Sequence, residues 1–466
     1  MSEFVRRTEM PCSADELFAW HLRPGAFARL SPPWERVEVE HWEPPTAIGK
    51  QAIIRMRLAP LVWRRWYAEY RECEPGRLFR DVQVSGPFAQ FDHRHKMLPV
   101  ESNSSILEDQ IEYEPPLGKL GQLVAGRFVR RNLENLFAYR HRVTLDDLEA
   151  HAQAAGGPQH VLVTGSTGLV GSTLVSMLTS GGHQVTRLSR KPFTCDEPVL
   201  TWEDLAARAT DDAKHPAAAA RPFDAVVHLA GENIAARRWS SAQKERIRDS
   251  RVAGTRRIAE WAARLPQPPK TLICASAIGV YGNRGDELLS ENSSFGDDFL
   301  AHVGREWEDA AQPAREAGIR VVHLRFGVIL STRGGALAKM WLPFWLGGGG
   351  RIGSGRQYMS WVAIDDAVGA IHHALVHPTL AGAVNVVAPS PVTNATFTRV
   401  LGQVMRRPTI FPMPGFAARL AFGEMADALL LSSQRVVPER LAAAGYRFRY
   451  LELDEALRFQ LGRIVE

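Results

Sequence analysis

The stretch VLVTGSTGLVGSTLV, residues 161–175, decides the fold of the larger part of this chain. Three apolar residues run into Thr164 and Gly165, and glycine recurs at 168 and 171. The first glycine permits a tight turn after a strand. The second lets the backbone approach a pyrophosphate, and the third lets the following helix pack closely on the strand. The helix start then offers unpaired amides and a favourable dipole to phosphate oxygens. Residues 161–175 therefore predict a strand, a dinucleotide-binding turn and a helix.

The sequence downstream continues that pattern. HQVTRLSR (183–190), FDAVVHLAG (223–231), TLICASA (271–277) and RVVHLRFGV (320–328) are apolar runs suited to strands buried on both faces. They alternate with the helical stretches 172–182, 242–265 and 299–318. That alternation predicts a doubly wound parallel sheet. The second strand ends in RLSRK (187–191), where an NAD enzyme usually carries a carboxylate for the ribose 2′-hydroxyl. Arg190, helped by Ser189, Lys191 or Arg187, suits a 2′-phosphate instead, because guanidinium binds phosphate bidentately. The expected cofactor is NADP(H).

At 466 residues the chain is too long for one ordinary core. A net charge of +5 is a mild excess that gives little reason to expect nucleic acid or a membrane surface as partner. The four cysteines (12, 73, 195, 274) form no CxxC pair, so neither a zinc site nor a disulfide framework is expected, and no metal is expected in the chain. MSEFVRRTEM lacks the apolar run of a signal peptide, and no apolar stretch reaches the ~18 residues of a spanning helix. A cytoplasmic enzyme with a small-molecule substrate is the expectation.

The turn-rich segment HAQAAGGPQ (151–159) reads as a linker. Before it, residues 5–10, 35–42, 52–58, 64–73, 77–84, 89–98 and 105–114 show partial apolar/polar alternation and read as strands. SADELFAW (13–20) carries a capping-box spacing in Ser13 and Glu16, and residues 120–151 form a long amphipathic helix. His93 and His95 lie two apart on one strand face; with no third ligand nearby in sequence they read as ordinary strand residues.

This N-terminal order resembles the SRPBCC (START-like, helix-grip) superfamily, which implies a cavity for an apolar ligand. Further on, TGSTGLVG (164–171), HLAG (228–231), SAIGVYG (276–282) and WVAIDD (361–366) resemble the extended short-chain dehydrogenase/reductases. The stretches 228–240, 244–256, 297–308, 326–366 and 385–416 are similar to that superfamily's epimerase-like NADP-binding subgroup. The implied architecture is α/β. An α+β helix-grip domain spans 1–150 and a linker 151–159. A Rossmann domain spans 160–335, and a small, partly interleaved substrate lobe spans 336–466. The resemblance implies that Gly165, Thr167, Gly168, Leu169, Val170 and Gly171 line the pyrophosphate and that Arg190 touches the 2′-phosphate. It places Leu229, Ala230 and Gly231 beside the nicotinamide ribose, and gives Ser276 a hydroxyl that binds the substrate carbonyl.

One departure matters. The superfamily's chemistry uses a Tyr-x-x-x-Lys pair on the helix after Ser276, with the tyrosine moving the proton and the lysine lowering its pKa. Here no tyrosine lies between Tyr281 and Tyr358, and no lysine between Lys270 and Lys339. If Glu308 aligns with the acid that follows the motif, Leu300 and Gly304 occupy the two positions. Tyr281, His302, Arg305 and Glu306 are the nearby polar alternatives. Glu232 and Asn233, at the carboxyl end of the third strand, are expected to recognise substrate. Gln357 and Trp361, in a glycine-rich loop expected to be mobile, are expected to reach the pocket. An NADP(H)-dependent oxidoreductase or epimerase is the first functional reading. An NADP(H)-binding sensor with weak or no catalysis is the second.

Overall fold

The structure is a computed structural model that describes residues 1–59, 62–116, 118–154, 156–209 and 221–465. Ala155, inside the expected linker, lies outside the described residues. The chain divides into two compact units. One comprises residues 1–154, 176–182 and 459–466; the other comprises 155–175 and 183–458. Residues 336–458, most of the expected interleaved lobe 336–466, fall in the unit that carries the nucleotide-binding sheet.

In the first unit seven strands form one antiparallel sheet. They are β1 (Ser2–Met10), β2 (Val37–Trp42), β3 (Gln51–Ala59), β4 (Val62–Glu74), β5 (Leu78–Ser85), β6 (Gln90–Glu101) and β7 (Ser104–Glu114). Their order is β1-β7-β6-β5-β4-β3-β2. Period-two alternation sends one face of each strand inward. On β7 that face is Leu107, Asp109, Ile111 and Tyr113, all buried. Helices α1 (Ala14–Leu22), α2 (Ala26–Arg29) and the long α3 (Gly118–Ala152) complete the unit. Ser13 caps α1 by accepting the Glu16 amide at 3.2 Å. Phe137 of α3 packs on Phe4 of β1, with ring centroids 5.4 Å apart. A buried bidentate pair joins α2 to α3, with Arg29 Nε 2.7 Å from Asp147 Oδ2 and Nη2 2.8 Å from Oδ1.

The second unit carries a parallel sheet. Its elements run β8 (His160–Thr164), α4 (Leu169–Ser180), β9 (Gln184–Leu188), β10 (Val199–Leu200), α5 (Trp202–Ala209), β11 (Ala225–His228), α6 (Ser241–Arg264) and β12 (Thr271–Ala277). They continue through β13 (Leu288–Leu289), α7 (Phe299–Asp309), α8 (Gln312–Glu316), β14 (Arg320–Phe326), β15 (Val328–Ser331), α9 (Gly335–Trp345), β16 (Tyr358–Met359), β17 (Trp361–Ala363), α10 (Ile364–Val376) and β18 (Gly382–Val386). The sheet order is β10-β9-β8-β11-β12-β14-β18, every ladder parallel, so the order reverses between β8 and β11. This is the expected Rossmann arrangement, with the two-residue β10 and the later β18 added at its edges. Among the described residues no helix is long and apolar enough to cross a membrane.

Removing one partner of a buried ion pair strands the other without water. Asp147→Ala is therefore expected to destabilise the first unit by about 3–5 kcal/mol. Chemical denaturation followed by circular dichroism measures it, and a change below experimental error would show that Arg29 finds another partner.

Candidate functional site

The glycine turn is built by close backbone contacts. Gly165 has φ +65°, a left-handed conformation that favours glycine. A Cβ there would also lie 2.8 Å from the backbone of both Leu229 and Ala230. At Gly171 a Cβ would collide with the Gly165 carbonyl, so α4 rests directly on the turn. Thr167 and Gly168 are exposed, while Leu169 and Val170 are half-buried. Because α4 starts at Leu169, the amides of Leu169, Val170 and Gly171 precede any intrahelical acceptor. This is a cradle whose amides suit a pyrophosphate.

Thr164 ties that cradle to the next strand end. Its hydroxyl accepts the amides of Leu229 and Ala230, both at 3.2 Å. Its own proton goes to His228 Nδ1, 2.8 Å away. His228 is therefore the Nε2–H tautomer, and burial pushes its pKa down to about 4. At the tip of β9, Arg190 and Lys191 are exposed. Arg187 is not available in the same way, because Glu197 holds its Nη2 at 2.8 Å.

Ser276, at the end of β12, is buried and donates to Glu308 Oε1 at 2.7 Å. Arg325 of β14 grips the same carboxylate twice, Nε to Oε1 and Nη2 to Oε2, both at 2.8 Å. Burial pushes the Glu308 carboxyl up, but Arg325 outweighs it and holds the group below its ordinary range. Arg325 also donates to the Tyr281 hydroxyl at 2.9 Å, and Tyr281 donates to Asn385 Oδ1 at 2.7 Å. A chain of buried polar groups thus runs Ser276–Glu308–Arg325–Tyr281–Asn385, linking β12, α7, β14, the turn 278–281 and β18.

Leu300, Gly304 and Glu308 recur every four residues, so they share one face of α7. The first two pack on the turn 278–281 that follows β12. A Cβ on Gly279 would be 3.4 Å from the Leu300 Cβ, and one on Gly304 would collide with the Val280 side chain. This face of α7 is filled by an apolar side chain and a close approach of Gly304 to Val280. His302 lies on the exposed side and Glu306 pairs with Arg248 at 2.6 Å. Arg305 is exposed and stacks over Phe295.

Several expected substrate contacts are corrected by their surroundings. Trp361 is fully buried, its indole N–H donating to the Ser390 carbonyl at 3.0 Å. Gln357 is buried and donates to the carbonyls of Ile352 and Leu430, both at 2.9 Å. These residues pin the glycine-rich loop, which Asn394 also holds through the Ile352 amide at 2.8 Å. A pinned loop replaces the mobile cover expected from its glycines. Tyr281 is fully buried with its phenol proton committed to Asn385, a bracing position rather than that of a free proton donor. Glu232 is half-buried, and Asn233 is exposed with its Oδ1 accepting the Ala235 amide. The Glu308–Arg325 pair was not anticipated; an arginine inside the apolar strand RVVHLRF was its only signal.

The first unit holds a separate cavity of about 160 Å³. Trp42, Ile54, Met56, Trp66, Phe91 and Phe137 give it apolar walls. His21, Glu35, Tyr70, Asp81, His93, His95 and Arg140 are its charged or titratable lining. Burial pushes the Glu35 carboxyl up, although Arg140 pulls against that.

Residues 161–387 match the NAD dependent epimerase/dehydratase family. An epimerase family protein of Mycobacterium bovis is 43% identical over 304 residues, which is 65% of this chain and 98% of that protein. The chain belongs to the epimerase family. The human member SDR39U1 is 38% identical over 301 residues, 64% of this chain and 98% of its own. A solved structure of the human epimerase family protein with NADPH matches at TM-score 0.60 and 37% identity, over 65% of this chain and 99% of that one. A Corynebacterium glutamicum structure described as a nucleoside-diphosphate sugar epimerase matches at TM-score 0.77 and 32% identity. It covers 98% of this chain and 90% of its own. Within this family member, residues 10–137 also match the family described as polyketide cyclase/dehydrase and lipid transport. Residues 413–460 match a domain of unknown function. The chain is thus an NAD(P)-binding epimerase-family protein behind an SRPBCC-type domain.

Glu308→Ala leaves Arg325 buried without its carboxylate and Ser276 without an acceptor. A loss of about 3–5 kcal/mol is expected in thermal or chemical unfolding of the second unit. Stability equal to wild type would remove Glu308 as the keystone of this network.

Proposed function

We propose that this chain is an NADP(H)-dependent oxidoreductase or epimerase acting on a small molecule, in which Ser276 and Glu308 replace the usual tyrosine–lysine pair as the polar partner of the reacting oxygen. The observation that carries the reading is the β9 tip, where Arg190 and Lys191 are exposed and no carboxylate takes the 2′-hydroxyl position. The NADPH found with the human relative supports the same cofactor. When bound, NADP(H) supplies hydride transfer. The protein contributes the rest. Gly165, Thr167, Gly168, Leu169, Val170 and Gly171 hold the pyrophosphate, with the helix dipole favouring its charge. Thr164 and His228 fix the Leu229–Gly231 backbone that borders the nicotinamide ribose.

Ser276 stands at the carboxyl end of a central strand, the edge at which open α/β sheets bind ligands. Its hydroxyl proton points at an ionised carboxylate, which leaves the oxygen lone pairs to accept from a substrate hydroxyl. That polarity fits Ser276 accepting a hydrogen bond from a substrate hydroxyl and orienting it, with Glu308 fixing the direction of the serine proton. Tyr281 and Arg325 position Glu308 rather than touch substrate. Glu232 and Asn233 stand beside this edge as candidate substrate contacts. The cavity of the first unit supports an apolar ligand there, taken up independently of the nucleotide.

Two measurements test the reading. Arg190→Glu is expected to weaken NADPH binding by ~10–100-fold, the loss of a charged phosphate contact and the gain of a repulsion, while NADH binding changes little. Equal losses for both nucleotides would overturn the NADP(H) assignment. In a metabolite screen that follows NADPH absorbance, Ser276→Ala is expected to lower turnover by ~10²-fold with NADPH affinity intact. Tight NADPH binding with no turnover of any alcohol or carbonyl by wild type would favour a sensor.

A further inference from the structure

The inward face of the seven-stranded sheet holds a set of charges that neither the fold nor the nucleotide site explains. Register brings them together. Asp81 on β5 pairs across the ladder with His93 on β6, and His95 pairs with Asp109 on β7. All four side chains point into the unit, because residues two apart on a strand share a face. His141 reaches them from α3. In this way β5, β6, β7 and α3 supply three imidazoles and two carboxylates at one depth, beside the apolar cavity.

The protons can be placed from the distances. Asp109 lies behind the histidines, almost completely buried. Its Oδ1 is 2.8 Å from His93 Nε2 and 2.7 Å from His95 Nδ1; its Oδ2 is 2.7 Å from His141 Nε2. The His95 contact is off the ideal hydrogen-bond line. Two lone pairs do not approach so closely, however, so that nitrogen carries a proton, as does His93 Nε2. Neutral imidazole then has its lone pair on the opposite nitrogen, His93 Nδ1 and His95 Nε2. Those two atoms turn toward Asp81, lying 3.7 Å and 3.4 Å from its Oδ1. Both separations exceed a good hydrogen bond. The three atoms all lie within 4.8 Å of one another.

We propose that His93 Nδ1, His95 Nε2 and an Asp81 carboxylate oxygen form a site for one divalent first-row transition metal, such as Zn²⁺, open on the side of the cavity. Four observations carry the assignment. The donor set is two imidazoles and one carboxylate, which suits such cations and leaves coordination positions free. Ligand atoms ~2.0–2.2 Å from a common ion stand roughly 3.0–3.6 Å apart; His95 Nε2 meets that spacing from Asp81 at 3.4 Å, and His93 Nδ1, at 3.7 Å, needs a small inward shift. Asp109 accepts the remote N–H of His93 and lies 2.7 Å from the remote nitrogen of His95, close to the arrangement that commonly fixes the tautomer and ring orientation of metal-bound imidazole. His141 in turn steadies Asp109, and Thr8 Oγ1 lies 2.8 Å from the other nitrogen of His141. Finally, Asp81, His93 and His95 all line the cavity, so the open positions face space that a ligand can enter.

The chemistry of an occupant follows. A molecule with an apolar body would sit among Trp66, Phe91 and Phe137, with a carbonyl, enolate or carboxylate oxygen on the metal. Arg140, across the same cavity, would favour a second negative group. The metal would act as a Lewis acid on the bound oxygen. Nothing in this site depends on the nucleotide, so it stands or falls apart from the NADP(H) reading.

The test uses untagged full-length protein, stripped with a chelator and titrated with Co²⁺ and Zn²⁺. Ligand-field absorption of Co²⁺ and native mass spectrometry are the readouts. One equivalent per chain is expected, with Zn²⁺ displacing Co²⁺. His93→Gln and His95→Gln should each weaken binding by ~100-fold, and Asp109→Asn by ~10–100-fold at unchanged stoichiometry. Circular dichroism and NADPH binding report whether each variant is folded. Should a glutamine variant fail to fold, X-ray absorption on the wild-type Co²⁺ form keeps the question open to decision. Two imidazole nitrogens among nitrogen and oxygen ligands are expected. No uptake by wild type at saturating metal would overturn the proposal and leave the cluster as an ion-pair brace. A double His93→Gln/His95→Gln variant that binds like wild type, or sulfur ligation, would also overturn it.

Discussion

A single buried carboxylate, Glu308, organises the carboxyl end of the central strands in the nucleotide-binding sheet. It comes from α7, and it is satisfied by Ser276 from β12 and Arg325 from β14. A charge at that depth is tolerable only with a partner and a full set of hydrogen bonds. The requirement propagates. Arg325 has donors left after gripping Glu308, and one of them meets Tyr281. Tyr281 then needs an acceptor and finds Asn385 on β18, the last strand of the sheet. The orientation of Ser276, the seating of α7 and the attachment of β18 are consequences of satisfying one acid.

The second unit makes the same point about dipoles. Thr164 has one proton and accepts two amides, which leaves His228 to take the proton. Three strand-end groups are thereby locked before any nucleotide arrives. Pre-locking of this kind reduces the ordering that binding must otherwise supply.

Much of this was legible in the sequence, for physical reasons. The seven N-terminal strands were visible because one face is buried and the other is not, and period two survives in the residues. The Rossmann turn was visible because Gly165 and Gly171 are places where a Cβ does not fit. What stayed hidden depends on register between distant segments. Nothing near His93 and His95 in sequence announces Asp81 or Asp109; strand pairing brings them alongside. Gln357 and Trp361 looked like pocket residues because polar and aromatic groups stand among glycines. Their hydrogen bonds to Ile352, Leu430 and Ser390 carbonyls belong to a fixed loop instead. The two-residue β10 carries too little pattern to be read at all.

Gly304 has a consequence for what the site can accept. With the Val280 side chain occupying the place of its Cβ, position 304 is closed to every other residue while α7 stays where it is. A lysine does not fit there by substitution alone. Admitting one requires the helix to move outward, which in turn pulls Glu308 away from Ser276 and Arg325. The close packing acts as a latch: while the helix rests on the turn, position 304 stays glycine and Glu308 stays within reach of Ser276 and Arg325.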